Sequence, residues 1–114
     1  MSKADFERRL LHAPSYIKDI YDEYEYVFSE DLISVWWYPG WSHIVEGLLK
    51  TVSRIDGAKV VKIKSHFSFL YVHYYSRGDE LVRTLDYINY YCSISCRSCG
   101  NLVNLGDTYC EQCK

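Results

Sequence analysis

Hydrophobic residues recur every three or four positions in four stretches of the chain, which is the period of an amphipathic helix. These stretches predict helices at residues 2–12, 15–28, 42–55 and 79–92. The third has the most regular apolar stripe, and Ser42 at its start is a residue type that caps helix N-termini. The chain is therefore predicted to be helical on both sides of a central segment with a different pattern.

That central segment, residues 59–75, alternates β-branched and aromatic residues in the manner of strands. Two strands are predicted, at 59–64 and 67–75, joined into an antiparallel hairpin by a turn at Ser65-His66. A further short strand is predicted at 33–35. Alternation divides the second strand into two faces: Phe67, Phe69, Tyr71, His73 and Tyr75 on one, and Ser68, Leu70, Val72 and Tyr74 on the other. The predicted fold class is α+β, with helices packed on a small antiparallel sheet.

The C-terminal tail holds four cysteines in two Cys-x-x-Cys pairs, which is the ligand spacing of a structural zinc site. The pairs are Cys96 with Cys99 and Cys110 with Cys113, and the spacer between them suits a short hairpin turning at Gly106-Asp107. The pattern predicts a four-cysteine zinc ribbon, with redox pairs or disulfides as the alternative. Four protein ligands leave no coordination position for water, so the zinc would be structural.

Two parts are predicted from these elements. The α+β body spans residues 1–94, with an acidic, tyrosine-rich helical part at 1–30 and a helix-hairpin-helix part at 42–94. The zinc ribbon spans residues 95–114. The fifth cysteine, Cys92, falls on the apolar stripe of the last helix and is interpreted as a buried thiol, with a role as an alternative ligand or reactive group left open.

The overall composition is that of a small folded protein. The 114 residues are 48% hydrophobic, enough for one domain with an appendage. No apolar run reaches the ~18 residues of a membrane-spanning helix. The first residues are charged and amphipathic, unlike a signal peptide, and free cysteines at metal spacing are typical of a reducing compartment. A cytoplasmic location and no membrane partner are expected.

Charge is unevenly distributed along the chain. Residues 1–50 hold nine acidic and five basic residues, whereas residues 51–114 hold six and eight, and the formal net charge is −2. The large basic surplus of a phosphate-binding protein is absent. The acidic helix is interpreted either as a solvated face or as a surface for a basic protein partner. In the second interpretation the partner-binding residues are four aromatic anchors and four steering acids: Tyr21, Tyr24, Trp36, Trp37, Asp19, Asp22, Glu23 and Glu25.

The order of these signals resembles a family of small, largely uncharacterised bacterial and phage proteins. Its pattern is a Gly-Trp at a helix start, a Val-Val-x-Ile-Lys strand, a Phe, a second strand, an amphipathic helix and Cys-x-x-Cys-Gly. The matching positions are Gly40-Trp41, residues 60–64, Phe67, residues 70–72, residues 79–92 and residues 96–100. The resemblance covers residues 38–113, although Ser68-Phe69 stand where the family often has Gly-Gly. It implies an α+β body with a zinc knuckle, and no particular activity.

Motifs for catalysis are not evident, because the sequence has no phosphate-binding glycine loop and no nucleophile motif. His43 is disfavoured as a metal ligand since four cysteines already complete a site. The predicted function is a non-enzymatic zinc-binding protein that acts through protein–protein interaction, as a regulator or inhibitor. By analogy with the resemblance, this would be a phage protein blocking a host nucleic-acid-handling or CRISPR-type defence complex.

The alternative function is a nucleic-acid-binding zinc-ribbon protein. Five basic residues would form a modest patch: Lys59, Lys62, Lys64, Arg97 and Lys114. The three from the predicted strand have aromatic neighbours, an arrangement that suits single-stranded nucleic acid. The negative net charge favours the protein-interaction class over this one.

Overall fold

Four α-helices and a three-stranded sheet are present in the computed structural model, which describes residues 3–30, 34–66, 69–105 and 107–113. The helices cover one face of the sheet, and the cysteine-rich tail follows the last helix. In chain order the elements are α1 (Lys3–Leu10), α2 (Ser15–Glu23), β1 (Ser34–Val35), α3 (Ser42–Ser53), β2 (Lys59–His66), β3 (Phe69–Tyr75) and α4 (Glu80–Ser93). The predicted α+β class is confirmed.

The sheet is mixed, which corrects the prediction of an antiparallel one. Its strand order is β1-β2-β3, with β1 parallel to β2 and β2 antiparallel to β3. Parallel neighbours need a crossover connection, and α3 provides it between β1 and β2. Within the predicted strand 33–35, Ser34 and Val35 pair with β2, while Ile33 lies outside the described residues.

The predicted hairpin turn at Ser65-His66 is wrong. Ser65 pairs with Leu70 and His66 with Phe69, so both residues belong to β2. Phe67 and Ser68, predicted as the start of the second strand, lie outside the described residues. The buried Ser65 side chain donates to the carbonyl of Trp36 at 3.5 Å, which satisfies a polar residue inside the sheet and lets the strand continue. The predicted alternation of β3 is confirmed where it is described, because Leu70 is buried and Phe69 and Tyr71 are exposed.

Two helix predictions also need correction. α2 ends at Glu23, and the chain continues as a 3₁₀ turn at Glu25–Val27, because the Tyr24 N–H bonds back to both the Ile20 and Tyr21 carbonyls. Ser42 does not cap α3; its hydroxyl donates to the Pro39 carbonyl and accepts a hydrogen bond from the Trp37 indole. Within the described residues, no helix is long and apolar enough to cross a membrane.

The core lies between the helices and the inner face of the sheet. Trp37, Trp41 and Leu48 are completely buried at its centre. Leu70 and Ile63 contribute the sheet side of the same cluster. Each such side chain contributes roughly 1.5–3 kcal/mol through burial, so apolar packing is the main source of stability that the structure shows in the body.

Candidate metal centre

The four tail cysteines converge on one point. Their Sγ atoms all lie within 4.8 Å of one another, and those of Cys99 and Cys110 are 3.5 Å apart. A tetrahedral zinc with Zn–S bonds of ~2.3 Å requires sulfur atoms about 3.8 Å apart. The donor set and its dimensions therefore fit a structural Zn²⁺ held by Cys96, Cys99, Cys110 and Cys113. Across the described ranges, no second group of three or more metal-ligating side chains converges in this way.

Each cysteine pair is shaped by a tight turn. Gly100 has a φ of 82°, a conformation that glycine adopts without steric cost, and its N–H donates to the Cys96 carbonyl at 3.0 Å and closes the first turn. The second pair forms a short 3₁₀ turn at Glu111–Cys113, closed by a 3.0 Å bond from the Cys113 N–H to the Cys110 carbonyl. The two turns bring both thiols of each pair to the same side.

Antiparallel bonds enclose the first pair, and a turn lies in the spacer that follows it. Ser95 bridges Leu102, and the Cys96 N–H donates to the Asn101 carbonyl at 2.8 Å. The turn in the spacer is closed by a 2.9 Å bond from the Asp107 N–H to the Asn104 carbonyl. Asp107 thus lies in a turn, as predicted, while Gly106 is outside the described residues. We refer to residues 95–113 as the ribbon.

Backbone groups prepare one thiol for metal binding. Burial raises the pKa of Cys96, but hydrogen bonds from the backbone at Cys110, Cys99 and Ser98 outweigh it and lower the pKa to about 6. Hydrogen bonding with the thiols of Cys110, Cys99 and Cys96 raises the pKa of Cys113 to about 12. Zinc would displace the thiol protons of the cysteines, and its positive charge would offset the negative charge of the four clustered thiolates. Such backbone donors also orient metal ligands.

The ribbon is fastened to the body at Gly40. The Gly40 N–H donates to the Arg97 carbonyl at 2.7 Å, and a Cβ on Gly40 would lie only 2.0 Å from the Cys96 carbonyl oxygen. The Trp41 indole donates to the Ser95 carbonyl at 3.4 Å, and the Arg97 guanidinium lies 4.7 Å from the centre of the Tyr38 ring. The resemblance placed Gly40-Trp41 at a helix start, and the contact of Gly40 with the ribbon was not predicted.

Three of the four predicted partner anchors are buried, and their assignment to a surface is wrong. Tyr21, Tyr24 and Trp37 are only 2%, 5% and 0% exposed. The Tyr21 ring packs between Phe6 and Phe28, with ring centres 5.1 and 5.0 Å away. Helical periodicity places tyrosines on a stripe but does not show that the stripe faces the core.

The remaining predicted partner residues are accessible. Trp36 is 44% exposed, just after β1. The four acids, Asp19, Asp22, Glu23 and Glu25, are exposed on α2 and the turn that follows it. An acidic surface therefore exists at this end of the molecule, without the neighbouring tyrosines that were predicted to anchor it.

The predicted basic residues do not form one free patch. Lys59 donates to the Tyr26 carbonyl, and Arg97 stacks on Tyr38. Lys62 and Lys64 lie together on the outer face of the sheet, and Lys114 is outside the described residues. Of the predicted patch, only this lysine pair forms a shared surface in the described part of the chain.

The two residues weighed as extra ligands both lie outside the sulfur cluster. Cys92 is buried in the core and its burial raises the thiol pKa to about 12, which confirms the interpretation as a buried apolar thiol. His43 approaches Gly100 but contributes no atom to the cluster. Four cysteines are therefore the complete ligand set among the described residues.

Sequence reasoning missed a groove between α3, α4 and the ribbon. It has a volume of about 590 Å³, and none of the described residues that line it is Asp, Glu, Lys or Arg. Leu48 and Ile88 are buried against the core, whereas Tyr87 and Leu102 are 67% and 74% exposed. The lining comprises His43, Ile44, Gly47, Leu48, Thr51, Thr84, Tyr87, Ile88, Tyr91, Ser95, Gly100 and Leu102. The exposed Leu102 and Tyr87 lie on neighbouring elements and give the groove an apolar rim.

Comparison with known proteins gives no further identification. No protein family, no curated protein and no solved structure matches the chain. The resemblance of residues 38–113 to small bacterial and phage proteins therefore stays a prediction. Function has to be argued from the metal centre, the groove and the exposed surfaces themselves.

Proposed function

We propose that this chain is a non-enzymatic, zinc-stabilised protein-interaction module, and that its groove receives an apolar segment of a partner protein. The observation that carries this proposal is the uncharged groove between α3, α4 and the ribbon, with exposed Tyr87 and Leu102 in its lining. Four cysteine ligands would saturate a tetrahedral zinc, which supports a structural and not a catalytic metal.

The groove has the dimensions of a short helix-binding cleft. Both helices line it over two turns, from Ile44 to Thr51 on α3 and from Thr84 to Tyr91 on α4. The first and last of eight helical residues are separated by a rise of about 10 Å, which matches about two turns of a bound helix. Because the lining carries no charge, it suits the apolar face of an amphipathic segment, which presents anchors at i, i+3 or i+4, and i+7.

Gly47 lies in the groove lining, where the absence of a side chain leaves open space. A Cβ built at this position meets no atom within 4 Å, so the missing side chain leaves open space on α3. A glycine inside a helix costs about 1 kcal/mol relative to alanine. Gly47 thus weakens α3 while keeping the groove open, a combination that favours binding over stability.

The ribbon, which the metal would hold in place, forms one wall of the groove. Gly100 and Leu102 belong to the ribbon and line the groove together with α3 and α4. A ribbon of this length has too little apolar burial to fold alone, so its position would depend on zinc. Binding of a partner is therefore expected to require the metal even though the metal does not touch the partner.

The exposed acidic residues favour a partner protein with a basic surface. Asp19, Asp22, Glu23 and Glu25 would attract a protein with a basic surface and speed its association. A module that binds without turnover would act as a regulator or inhibitor of that partner. A phage protein that blocks a host nucleic-acid-handling or CRISPR-type complex is the form of this role that the resemblance suggests.

The test is a selection from a displayed library of random helical peptides against the purified, zinc-loaded chain. We expect enrichment of peptides with apolar residues at i, i+3 or i+4, and i+7. Gly47→Leu fills the groove and should lower their affinity at least about 10-fold, the equivalent of ~1.4 kcal/mol. Lys50→Leu, which adds the same side chain on α3 outside the groove lining, should bind like the wild type.

Three outcomes would count against the groove. One is the absence of any enriched apolar pattern. A second is equal binding of the selected peptides by the wild type and Gly47→Leu. A third is a concentration-dependent dimer that Gly47→Leu abolishes, which would assign the groove to a second copy of this chain.

A further inference from the structure

One face of the sheet is exposed and combines aromatic rings with lysines. Phe69, Tyr71 and Tyr75 on β3 are 58%, 55% and 55% exposed, and Trp36 after β1 is 44% exposed. Lys62 pairs with His73 and Lys64 with Tyr71, and these four side chains line a shallow depression of about 280 Å³. We call this surface, formed by Trp36, Lys62, Lys64, Phe69, Tyr71, His73 and Tyr75, the outer face.

We infer that the outer face binds single-stranded nucleic acid. Every base has a flat face that stacks on an aromatic ring, and such stacking tolerates any sequence. Phe69 and Tyr71 are two residues apart on one strand, which separates their rings by about 7 Å along β3. Some RNA-binding sheets stack two or three bases on exposed aromatic side chains in this way.

The positive charge of the outer face is complementary to the negative charge of a phosphate backbone. The strands β1, β2 and β3, as the structure describes them, contain no aspartate or glutamate. Lys64 is exposed beside Tyr71, and Lys62 is half-buried beside His73. A phosphate running between the rings would therefore meet two ammonium groups and no carboxylate from these strands.

The negative net charge of the whole chain does not by itself oppose this inference, because part of the acidic content lies on α2. Asp19, Asp22 and Glu23 lie on α2, and α2 packs against α3. The Debye length is about 8 Å at physiological ionic strength, so acids farther than this from the outer face are largely screened from it.

A flat aromatic surface favours single strands over duplexes. In a duplex the faces of the bases are covered by their neighbours, and sequence is read by a helix or ribbon inserted into a groove. The outer face is formed by sheet residues with exposed rings, whose stacking surface only unpaired bases can use. This inference is independent of the proposed groove, which lies on the helical side of the molecule.

The test measures fluorescence anisotropy of labelled oligo(dU) and oligo(U) of about ten nucleotides, which carry the same base on different sugars and have a length within the usual site sizes. A hairpin duplex serves as the third probe. We expect both single strands to bind more tightly than the duplex, and the tighter of the two identifies the preferred sugar. Tyr71→Ala should lower affinity about 10-fold, within the range for loss of one stacked base. Tyr71→Phe keeps the ring and should retain binding.

The contribution of Lys62 and Lys64 is measured separately, from the salt dependence of the affinity. Lys62→Gln combined with Lys64→Gln should reduce the slope of log affinity against log salt by about 1.4, since each phosphate contact on a single strand contributes ~0.7. The matched controls are Tyr90→Ala and Lys50→Gln, which remove an exposed ring and an exposed lysine from the helices. Both should leave affinity and slope unchanged.

The inference is overturned if the duplex binds as tightly as the single strands, or if Tyr71→Ala stays within twofold of the wild type. It is also overturned if no oligonucleotide binds with a Kd below about 1 mM, the weak limit of useful affinity. The substituted side chains are exposed, except for the half-buried Lys62, and the folding of each variant is checked by circular dichroism. Peptide binding in the groove provides an independent readout, which separates a failure here from a failure of the proposed function.

Discussion

The body contains a buried cysteine with a raised pKa, whereas the ribbon contains a buried cysteine with a lowered pKa. Cys92, at the end of α4, and Cys96, at the start of the ribbon, are four residues apart and both are buried. Burial raises the pKa of Cys92 to about 12. Burial also raises that of Cys96, but backbone hydrogen bonds lower it to about 6. Apolar packing keeps one thiol neutral, while ordered backbone donors prepare the other for a metal.

The same contrast extends to how each part is stabilised. The body buries Trp37, Trp41 and Leu48 completely, whereas the ribbon leaves Leu102 and Leu105 74% and 76% exposed. A segment that exposes its leucines gains little from apolar burial and needs another source of folding energy. The body is thus expected to survive conditions that unfold the ribbon, and four experiments test this difference.

The largest expected effect is loss of the metal. Cys99→Ser removes one of four ligands and should abolish stoichiometric zinc binding, since structural zinc contributes roughly 10–16 kcal/mol in isolated fingers. Metal analysis should give one equivalent for the wild type and for Cys92→Ala, a cysteine outside the cluster. In NMR spectra only ribbon signals should collapse in Cys99→Ser. Less than about half an equivalent in the wild type, with the fold intact, would contradict the zinc site.

The next effect is at the contact between the two parts. Gly40→Ala places a methyl group against the backbone at Cys96 and Arg97, which cannot move without displacing the ribbon. Overpacking of this kind should lower the free energy of unfolding by about 3 kcal/mol, measured in urea. Gly78→Ala is the matched control, because its added methyl meets only the mobile end of the Glu80 side chain. Equal stability of the two variants would show that the ribbon is not fastened at Gly40.

A smaller effect comes from the Cys92 thiol at high pH. Its pKa is raised from 9.0 to about 12 in the folded protein, so the thiol ionises first in the unfolded chain. The stability contributed by the neutral buried thiol is complete below pH 9 and is lost as the pH rises towards 12. Between about pH 8.5 and 10 the loss should be roughly 1 kcal/mol. Urea unfolding of Cys92→Ala should lack this component, and an identical pH dependence in both proteins would refute it.

The sequence was sufficient for features that rest on local spacing. The metal ligands follow from two Cys-x-x-Cys pairs, and the faces of β3 follow from strict alternation around Leu70. The helices follow from their apolar stripes, to within a few residues. Each of these signals depends on neighbours in the chain, and the physics that decides it acts over a few residues.

Features that depend on distant contacts could not be predicted in this way. Tyr21 is buried because Phe6 and Phe28 close around it, although its neighbours in α2 are acidic. The parallel pairing of β1 depends on where α3 returns the chain, and the groove needs α3, α4 and the ribbon together. The role of Gly40 appears only when the ribbon backbone is placed against it.

The smallest expected effect concerns α3, the helix that forms one wall of the groove. Gly47→Ala removes a helix-weakening glycine and meets no atom within 4 Å, so it should raise the free energy of unfolding by about 0.5–1 kcal/mol. Gly57→Ala makes the same change where φ is 80° and should lower it by roughly 1–2 kcal/mol. Because both changes lie in the body, neither should alter zinc stoichiometry. If Gly47→Ala also destabilises, then Gly47 is required by the packing of α3 and its absent side chain is not what keeps the groove open.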